Sequence, residues 1–486
     1  MSDASAPPPT AGGAVRSALM WNAANFAVSQ VASAAIFFIL AAQLPPAVFG
    51  VLALAVVMTD LIATQGRSAM TDAIVQAQDF SRPALNAAFW CGMTVCVAAS
   101  VILVALRDPL AAAFKAPELA LVLPPIAIAL LVTPALAVME ALIVKDLNFK
   151  TLNLRNMTGV IVSGALALAV VFSPAKEWAF VVQRVTQALV SFGFLLAATK
   201  WLPGLSASGA SLMGFARRAG PIWAVQGLNV ASQRVTETLI GLRIGPTELA
   251  VVRVAGKFFE ILHGSLTSAL MAVWLPVLSR LREDRDGARG FFLRVMSLAA
   301  MLCIPAQLGL GLVAPEITAL FLSDAYADAA VIIGLVSLGA LFIPMSFFRA
   351  PILVALGRPG IGVQLALLDL VTSAAIIWIF TAYGLHAAYA ALVASWFLLN
   401  PISGLILCRL AHVRLGDFAH AIRPAYEASA VMAAAVFGAR ALIGDLPPLL
   451  GLALYAGIGA ATYAAYIALV HRRSALDNLA YLRVRA

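Results

Sequence analysis

The sequence predicts an all-α polytopic membrane protein of about fourteen transmembrane helices. Three observations predict it. Of the 486 residues, 62% are hydrophobic and 11% are charged, against about 25% charged in an ordinary soluble domain. Apolar runs of about 20 residues, long enough to cross a bilayer as helix, recur along the whole length. Lysine and arginine gather in alternate connections, as orientation in a membrane requires. An outer-membrane barrel would need a series of alternating segments of about ten residues, which this chain lacks.

Taken in order, the spans fall near 18–42, 47–66, 84–106, 119–143, 156–173, 178–199, 214–240, 247–275, 293–313, 329–348, 361–381, 385–408, 424–442 and 448–470. Prolines within or beside them, such as Pro134, Pro221, Pro305, Pro344 and Pro401, make kinks that neighbouring helices can satisfy. Residues 1–15 are rich in Pro, Ala and Gly and read as a disordered cytoplasmic tail. They fit a cleavable signal peptide poorly, because one positive charge, Arg16, precedes an apolar span too long for that role. Residues 472–486 read as a basic cytoplasmic tail.

With the N-terminus inside, 23 of the 32 Lys and Arg fall in or beside inside segments and 5 in outside ones. That split fits an even number of spans with both ends in the cytoplasm. It also accounts for the net charge of +9 without nucleic acid as a partner. Connections are short, so no soluble domain is inserted. Cys91, Cys96, Cys303 and Cys408 lie in or at the ends of spans without zinc-ligand spacing, and read as buried thiols. No metal or cofactor is expected. Asp284-Arg285-Asp286 reads as a solvated loop of mixed charge.

Residues 221–262 stand apart. Two apolar helices, joined at Arg243-Ile244-Gly245-Pro246, carry Arg234, Glu237, Arg253, Lys257 and Glu260. Each charge at mid-bilayer costs about 2.5–3.5 kcal/mol on insertion scales, so these must face a wet cavity or each other. At about 100° per residue, Arg253, Lys257 and Glu260 lie within about 60° on one helix face. Gln226, Asn229, Gln233 and Glu237 follow i, i+3, i+7, i+11, a single polar stripe. Arg184 adds a cation within the sixth span. Asp60, Glu140, Glu237, Glu260 and Asp369 are acidic residues within spans, and Glu427 lies near a span entrance. Carboxylates in such places can couple transport to an ion.

An internal repeat organises the chain. Residues 44–60 align with 244–260, pairing Pro46 with Pro246, Ala55 with Ala255 and Asp60 with Glu260. Asn22, Asn25, Ser29 and Ser33 in the first span share the spacing of the stripe in the seventh. Two like halves of six spans follow, at 16–205 and 206–420, with two more spans at 421–471. Repeated halves enclosing a midplane site are a transporter feature.

Three stretches carry a family resemblance: Ala41-Ala42-Gln43-Leu44-Pro45-Pro46-Ala47-Val48-Phe49-Gly50, then Ala141-Leu142-Ile143-Val144-Lys145-Asp146-Leu147-Asn148-Phe149-Lys150, then Pro276-Val277-Leu278-Ser279-Arg280-Leu281. With them the chain resembles the polysaccharide transporter family of bacterial oligosaccharide flippases, in the multidrug/oligosaccharidyl-lipid/polysaccharide superfamily. The resemblance implies two pseudo-symmetric six-helix lobes around a central cavity, plus two C-terminal helices. It implies movement of undecaprenyl-pyrophosphate-linked oligosaccharide units across the cytoplasmic (inner) membrane by alternating access, without catalysis. Its partners would be the lipid-linked oligosaccharide, membrane lipids, and polysaccharide polymerase and export machinery.

Given that cargo, Arg234, Arg253 and Lys257 are expected to bind the pyrophosphate, with Arg184 as a fourth, since guanidinium and ammonium groups donate charge-assisted hydrogen bonds to phosphate. Asn22, Asn25, Gln30, Gln226, Asn229 and Gln233 would line the glycan path. The bland reading is that the charges pair to lock helices and the amides are packing glue. Rival functions are a cation-coupled multidrug-type antiporter, a membrane glycan polymerase or ligase, and a structural scaffold. Polymerases and ligases usually carry a large outside loop, and multidrug antiporters tend towards acidic sites.

Overall fold

A computed structural model describes residues 29–472, apart from 61–62, 64–65, 78, 206–208, 279–284, 343–344, 346–348, 350–351, 354–357, 411 and 445. Among the described residues the chain is helical and has no strand. Asn22 and Asn25 lie outside them.

The helices run α1 (Ser29–Gln43), α2 (Pro46–Asp60), α3 (Arg67–Ala77), α4 (Arg82–Ala105), α5 (Arg107–Ala113), α6 (Leu119–Ala129), α7 (Thr133–Lys145), α8 (Phe149–Val171) and α9 (Ala179–Thr199). They continue as α10 (Gly209–Arg243), α11 (Pro246–Leu278), α12 (Arg285–Leu312), α13 (Ala314–Phe321), α14 (Asp328–Leu338), α15 (Pro359–Phe380), α16 (Leu385–Leu410), α17 (Leu415–Ile443) and α18 (Pro448–Val470). Nine helices among the described residues are long and apolar enough to cross a membrane, and α1 and α2 are shorter apolar helices. The expected fourteen spans thus exceed what the described residues establish.

Local chemistry sets the boundaries. α2, α11, α15 and α18 each open on proline, whose missing N–H costs nothing in the first turn. Asn148 caps α8 by accepting a hydrogen bond from the Thr151 amide. Gly245, at φ +126°, makes the α10–α11 turn in a region that side chains with a Cβ avoid. Three short helices lie where the sequence predicts connections. α3 opens on Arg67, while α5 and α13 place Asp108 and Glu316 in their first turns, where a negative charge favours the helix N-terminus. The span Leu119–Lys145 is broken by a 3-10 turn at Leu130–Val132 just before Pro134. Pro305 and Pro401 lie inside α12 and α16.

The chain divides into two compact units. The first comprises residues up to Arg234 with Gly245–Thr247, and the second Val235–Ile244 with the residues from Glu248 onwards. In the first, α8 packs on α9 and α7 packs on α3 and α4. Its core gathers Met70, Phe89, Leu136, Met139, Leu195 and Trp201. Gly50 lies against the main chain of Pro246, and a Cβ there would sit 1.8 Å from the Pro246 carbonyl oxygen. The two aligned segments of the repeat therefore touch at this glycine.

In the second unit α12 packs on α17, and α18 packs on α13 and α17. Arg440 of α17 fixes the C-terminal pair. It donates to Glu316 at 2.6 and 2.7 Å and to the Leu312 carbonyl at 3.0 Å. It also stacks 4.9 Å over the ring of Tyr455 in α18. Tyr463 of α18 donates to the Met301 carbonyl of α12. Arg440 lies near the end of the expected span 424–442, and the structure places it in the last turn of α17, as an anchor. Outward faces stay apolar, as at Val371, Leu398 and Leu469, and suit contact with lipid.

Two glycines test the packing. Gly50→Ala forces its methyl into main chain and should cost about 1–3 kcal/mol or more. Gly193 of α9 has open space around it, so Gly193→Ala should be neutral or stabilise by up to about 1 kcal/mol. Thermal unfolding of the detergent-solubilised protein reads both; equal melting temperatures would contradict the close approach.

Candidate functional site

The charges form discrete knots. In the first unit Asp60, the last residue of α2, accepts a hydrogen bond from Arg184 of α9 at 2.6 Å and lies 3.6 Å from Arg234 of α10. Ten of the fifteen residues of α2 are buried, so Asp60 is carried inward with its helix. A second carboxylate, Glu140 of α7, accepts a hydrogen bond from Arg155 of α8 and lies 3.6 Å from Arg67. Arg155 also donates to Asn156 at 2.6 Å. Its side chain is 6% exposed, against 12% for Glu140. Arg67, Arg155 and Arg184 line one cavity of about 270 Å³, with Thr59, Asn156 and Gln187.

In the second unit Glu237 of α10 meets Arg253 of α11, one guanidinium nitrogen lying 3.1 Å from each carboxylate oxygen. Lys257 lies 3.4 Å from Glu260, one turn along the same helix. Arg349 donates to Asp369 at 2.5 Å. A lone charge in hydrocarbon costs several kcal/mol, and pairing is the alternative to water. Arg184, Arg234, Arg253 and Lys257 thus each have a carboxylate within ion-pair distance. None is enclosed: their side chains keep 15–30% exposure.

The expected cations therefore divide. Arg184 and Arg234 come together at Asp60 in the first unit, while Arg253 and Lys257 belong to the second. The predicted shared face of α11 survives as the Lys257–Glu260 pair. Gln30 lies half-buried on α1. Gln226, Asn229 and Gln233 lie along α10, with side chains outside the described set.

Arg67 and Arg155, which the sequence reading assigns to inside connections, meet at Glu140 and line one cavity. A signal for Arg155 exists: Asn148 starts α8 seven residues before the expected span at 156. That cap places Arg155 two turns into the helix. Arg67 follows the expected second span, and nothing in its neighbourhood shows that a further helix turns it inward.

The fold defines a class. The structure of the lipid II flippase MurJ in an inward closed conformation superposes with a TM-score of 0.75 at 14% identity, over 92% of this chain and 99% of that one. A multidrug resistance MATE family transporter of the MOP superfamily, facing inward, superposes with a TM-score of 0.57 at 14% identity, over 81% and 95%. At such identities the likeness is one of fold: this is a helical membrane protein of the MurJ/MATE type.

Sequence narrows the class. A family described as polysaccharide biosynthesis protein matches residues 39–331, more than half of the chain, and the chain belongs to it. The succinoglycan biosynthesis transport protein ExoT of Rhizobium meliloti (strain 1021) is 23% identical over 311 residues, covering 64% of this chain and 63% of the relative. The lipopolysaccharide biosynthesis protein WzxC of Escherichia coli (strain K12) is 21% identical over 264 residues, 54% of each. The chain thus spans less than two thirds of either relative's length.

The knots differ in weight. Asp60 is 13% exposed and serves two arginines, whereas Glu260 is 66% exposed and serves one lysine. Asp60→Asn should destabilise by about 1–3 kcal/mol, and Glu260→Gln by less than about 1 kcal/mol. Melting curves of the two variants, expressed and purified alike, should rank them in that order.

Proposed function

We propose that this protein is a flippase that moves undecaprenyl-pyrophosphate-linked oligosaccharide repeat units across the bacterial cytoplasmic membrane for extracellular polysaccharide synthesis. The observation that carries the reading is the meeting of Arg184 and Arg234 at Asp60 inside one unit, in a member of a polysaccharide biosynthesis family with a transporter fold. A pyrophosphate bears two or more negative charges and does not cross hydrocarbon unaided. Arginine and lysine can take its oxygens in charge-assisted hydrogen bonds.

In this reading Arg184 and Arg234 of the first unit, and Arg253 and Lys257 of the second, each offer donors to the pyrophosphate during its passage. Asp60, Glu237 and Glu260 hold those cations in its absence. Gln30 and the amides of α10 offer exchangeable hydrogen bonds to sugar hydroxyls. The apolar cavity of about 430 Å³ lined by Leu310, Met432, Val436, Tyr455 and Tyr463 suits part of a polyprenyl chain. Both termini lie in the cytoplasm, and polymerase and export proteins take over the delivered unit. The names of ExoT and WzxC, which refer to succinoglycan transport and lipopolysaccharide synthesis, support this cargo class.

Ion coupling through Asp60, Glu140, Glu237, Glu260 or Asp369 is the second reading. Each of these carboxylates already engages an arginine or lysine, which suits a counter-ion at least as well as a proton carrier. Flipping of a fluorescent lipid-linked glycan in proteoliposomes decides it: a rate indifferent to pH and sodium gradients excludes coupling.

The main test is complementation of a strain lacking the gene. Arg234→Ala, Arg253→Ala and Lys257→Ala should each abolish flipping at normal protein levels. Full activity in all three would remove the pyrophosphate assignment.

A further inference from the structure

We infer that the first unit contains its own oxyanion site, built by Arg67, Arg155 and Arg184, with Glu140 as a counter-ion that a phosphate group displaces. Arg67 and Arg155 lie outside the cation set assigned to the pyrophosphate, and every residue of the site falls within one unit. The inference rests on the flippase reading only for which molecule brings the phosphate.

Four observations converge. Arg67, Arg155 and Arg184 line one cavity of about 270 Å³. That lies just below the range of ordinary ligand pockets, a size for a head group rather than a glycan. Glu140 serves both Arg67 and Arg155, so this pair of guanidiniums carries one positive charge more than its carboxylate. Arg155 is 6% exposed, and its Nε, itself buried, has no acceptor among the described residues. A buried donor of that kind costs free energy that an incoming acceptor recovers. Finally, the wall adds neutral hydrogen-bonding groups: the Ser191 hydroxyl and the Asn156 and Gln187 amides.

The chemistry selects the ligand. Guanidiniums bind phosphate through parallel N–H···O bonds, and Arg155 has one such donor unused while its other two nitrogens hold Glu140 and Asn156. A phosphate group in the cavity that Arg67, Arg155 and Arg184 line would supply the missing negative charge. Glu140 then acts as competitor as well as counter-ion. Its neutralisation should weaken the empty protein, by leaving buried cations uncompensated, and strengthen anion binding.

The test is direct binding on the purified full-length protein in nanodiscs of zwitterionic lipid. Inorganic phosphate is titrated at ionic strength matched with chloride, and read by thermal shift and calorimetry. Phosphate should raise the melting temperature of the wild type, since a ligand of the folded state stabilises it. Arg67→Gln should weaken binding by about tenfold, as expected for one charge-assisted bond. Arg155→Gln/Glu140→Gln, which removes the buried cation with its carboxylate and leaves the more exposed Arg67 alone without Glu140, should lose the response. Glu140→Gln alone should melt lower without phosphate and gain more from it than the wild type. Arg107→Gln, at an exposed arginine of the same unit, should respond as the wild type does.

A short-chain prenyl pyrophosphate forms the second arm. Competition with inorganic phosphate assigns the site to the lipid head group, and phosphate binding without competition assigns it to the free ion. No phosphate response in the wild type, or a full response in the Arg155→Gln/Glu140→Gln double variant, overturns the site. Because binding is read without transport, that outcome leaves the flippase reading standing. A protein that binds phosphate but flips nothing would sink the flippase reading instead.

Discussion

The pairing of cations within the helix bundle with carboxylates is the interaction on which the rest depends. Hydrocarbon offers a guanidinium no hydration, so each arginine in this bundle needs a carboxylate, a carbonyl or water. Asp60, Glu140, Glu237, Glu260, Glu316 and Asp369 supply such partners. Most of these pairs join different helices, so the electrostatic requirement also sets which helices pack together. Asp60 ties α2 to α9 and α10; Glu140 ties α7 to α8; Glu316 ties α13 to α17.

The same chemistry separates anchors from sites. Arg440 is held by both oxygens of Glu316, a main-chain carbonyl and the face of Tyr455. That clamp draws on hydrogen bonding and ring stacking at once and joins the C-terminal helices to their unit. Arg155 differs. It too is buried and paired, yet one of its donors is unmet and it borders a cavity. An anchor satisfies its donors within the protein, and an unmet buried donor is the exception to that rule.

Helical ends carry a chemistry of their own. Proline and asparagine mark the beginnings of α2, α8, α11, α15 and α18, because their effects are confined to one turn. The long apolar runs located the spans for a similar reason: the bilayer imposes a length and polarity that any window of about 20 residues reveals. Short helices such as α3 and α13 escaped, since eight to eleven residues give periodicity too little length. Arg184, Arg234, Arg253 and Lys257 were legible as candidates because charge inside a span is rare. Arg67 and Arg155 were not, since positive charge at span ends is what topology predicts.

The sequence by itself determined that this is a helical membrane protein with apolar spans recurring along it, which family it resembles, and that cations sit within those spans. Tertiary structure alone decided the partners: Asp60 with Arg184, 124 residues away; Glu237 with Arg253; and Arg67 and Arg155 around Glu140 and one cavity. Composition and periodicity record the solvent each residue meets, because that is a property of the residue and its near neighbours. The identity of a counter-ion depends on how distant helices rotate and cross, and no local pattern encodes it.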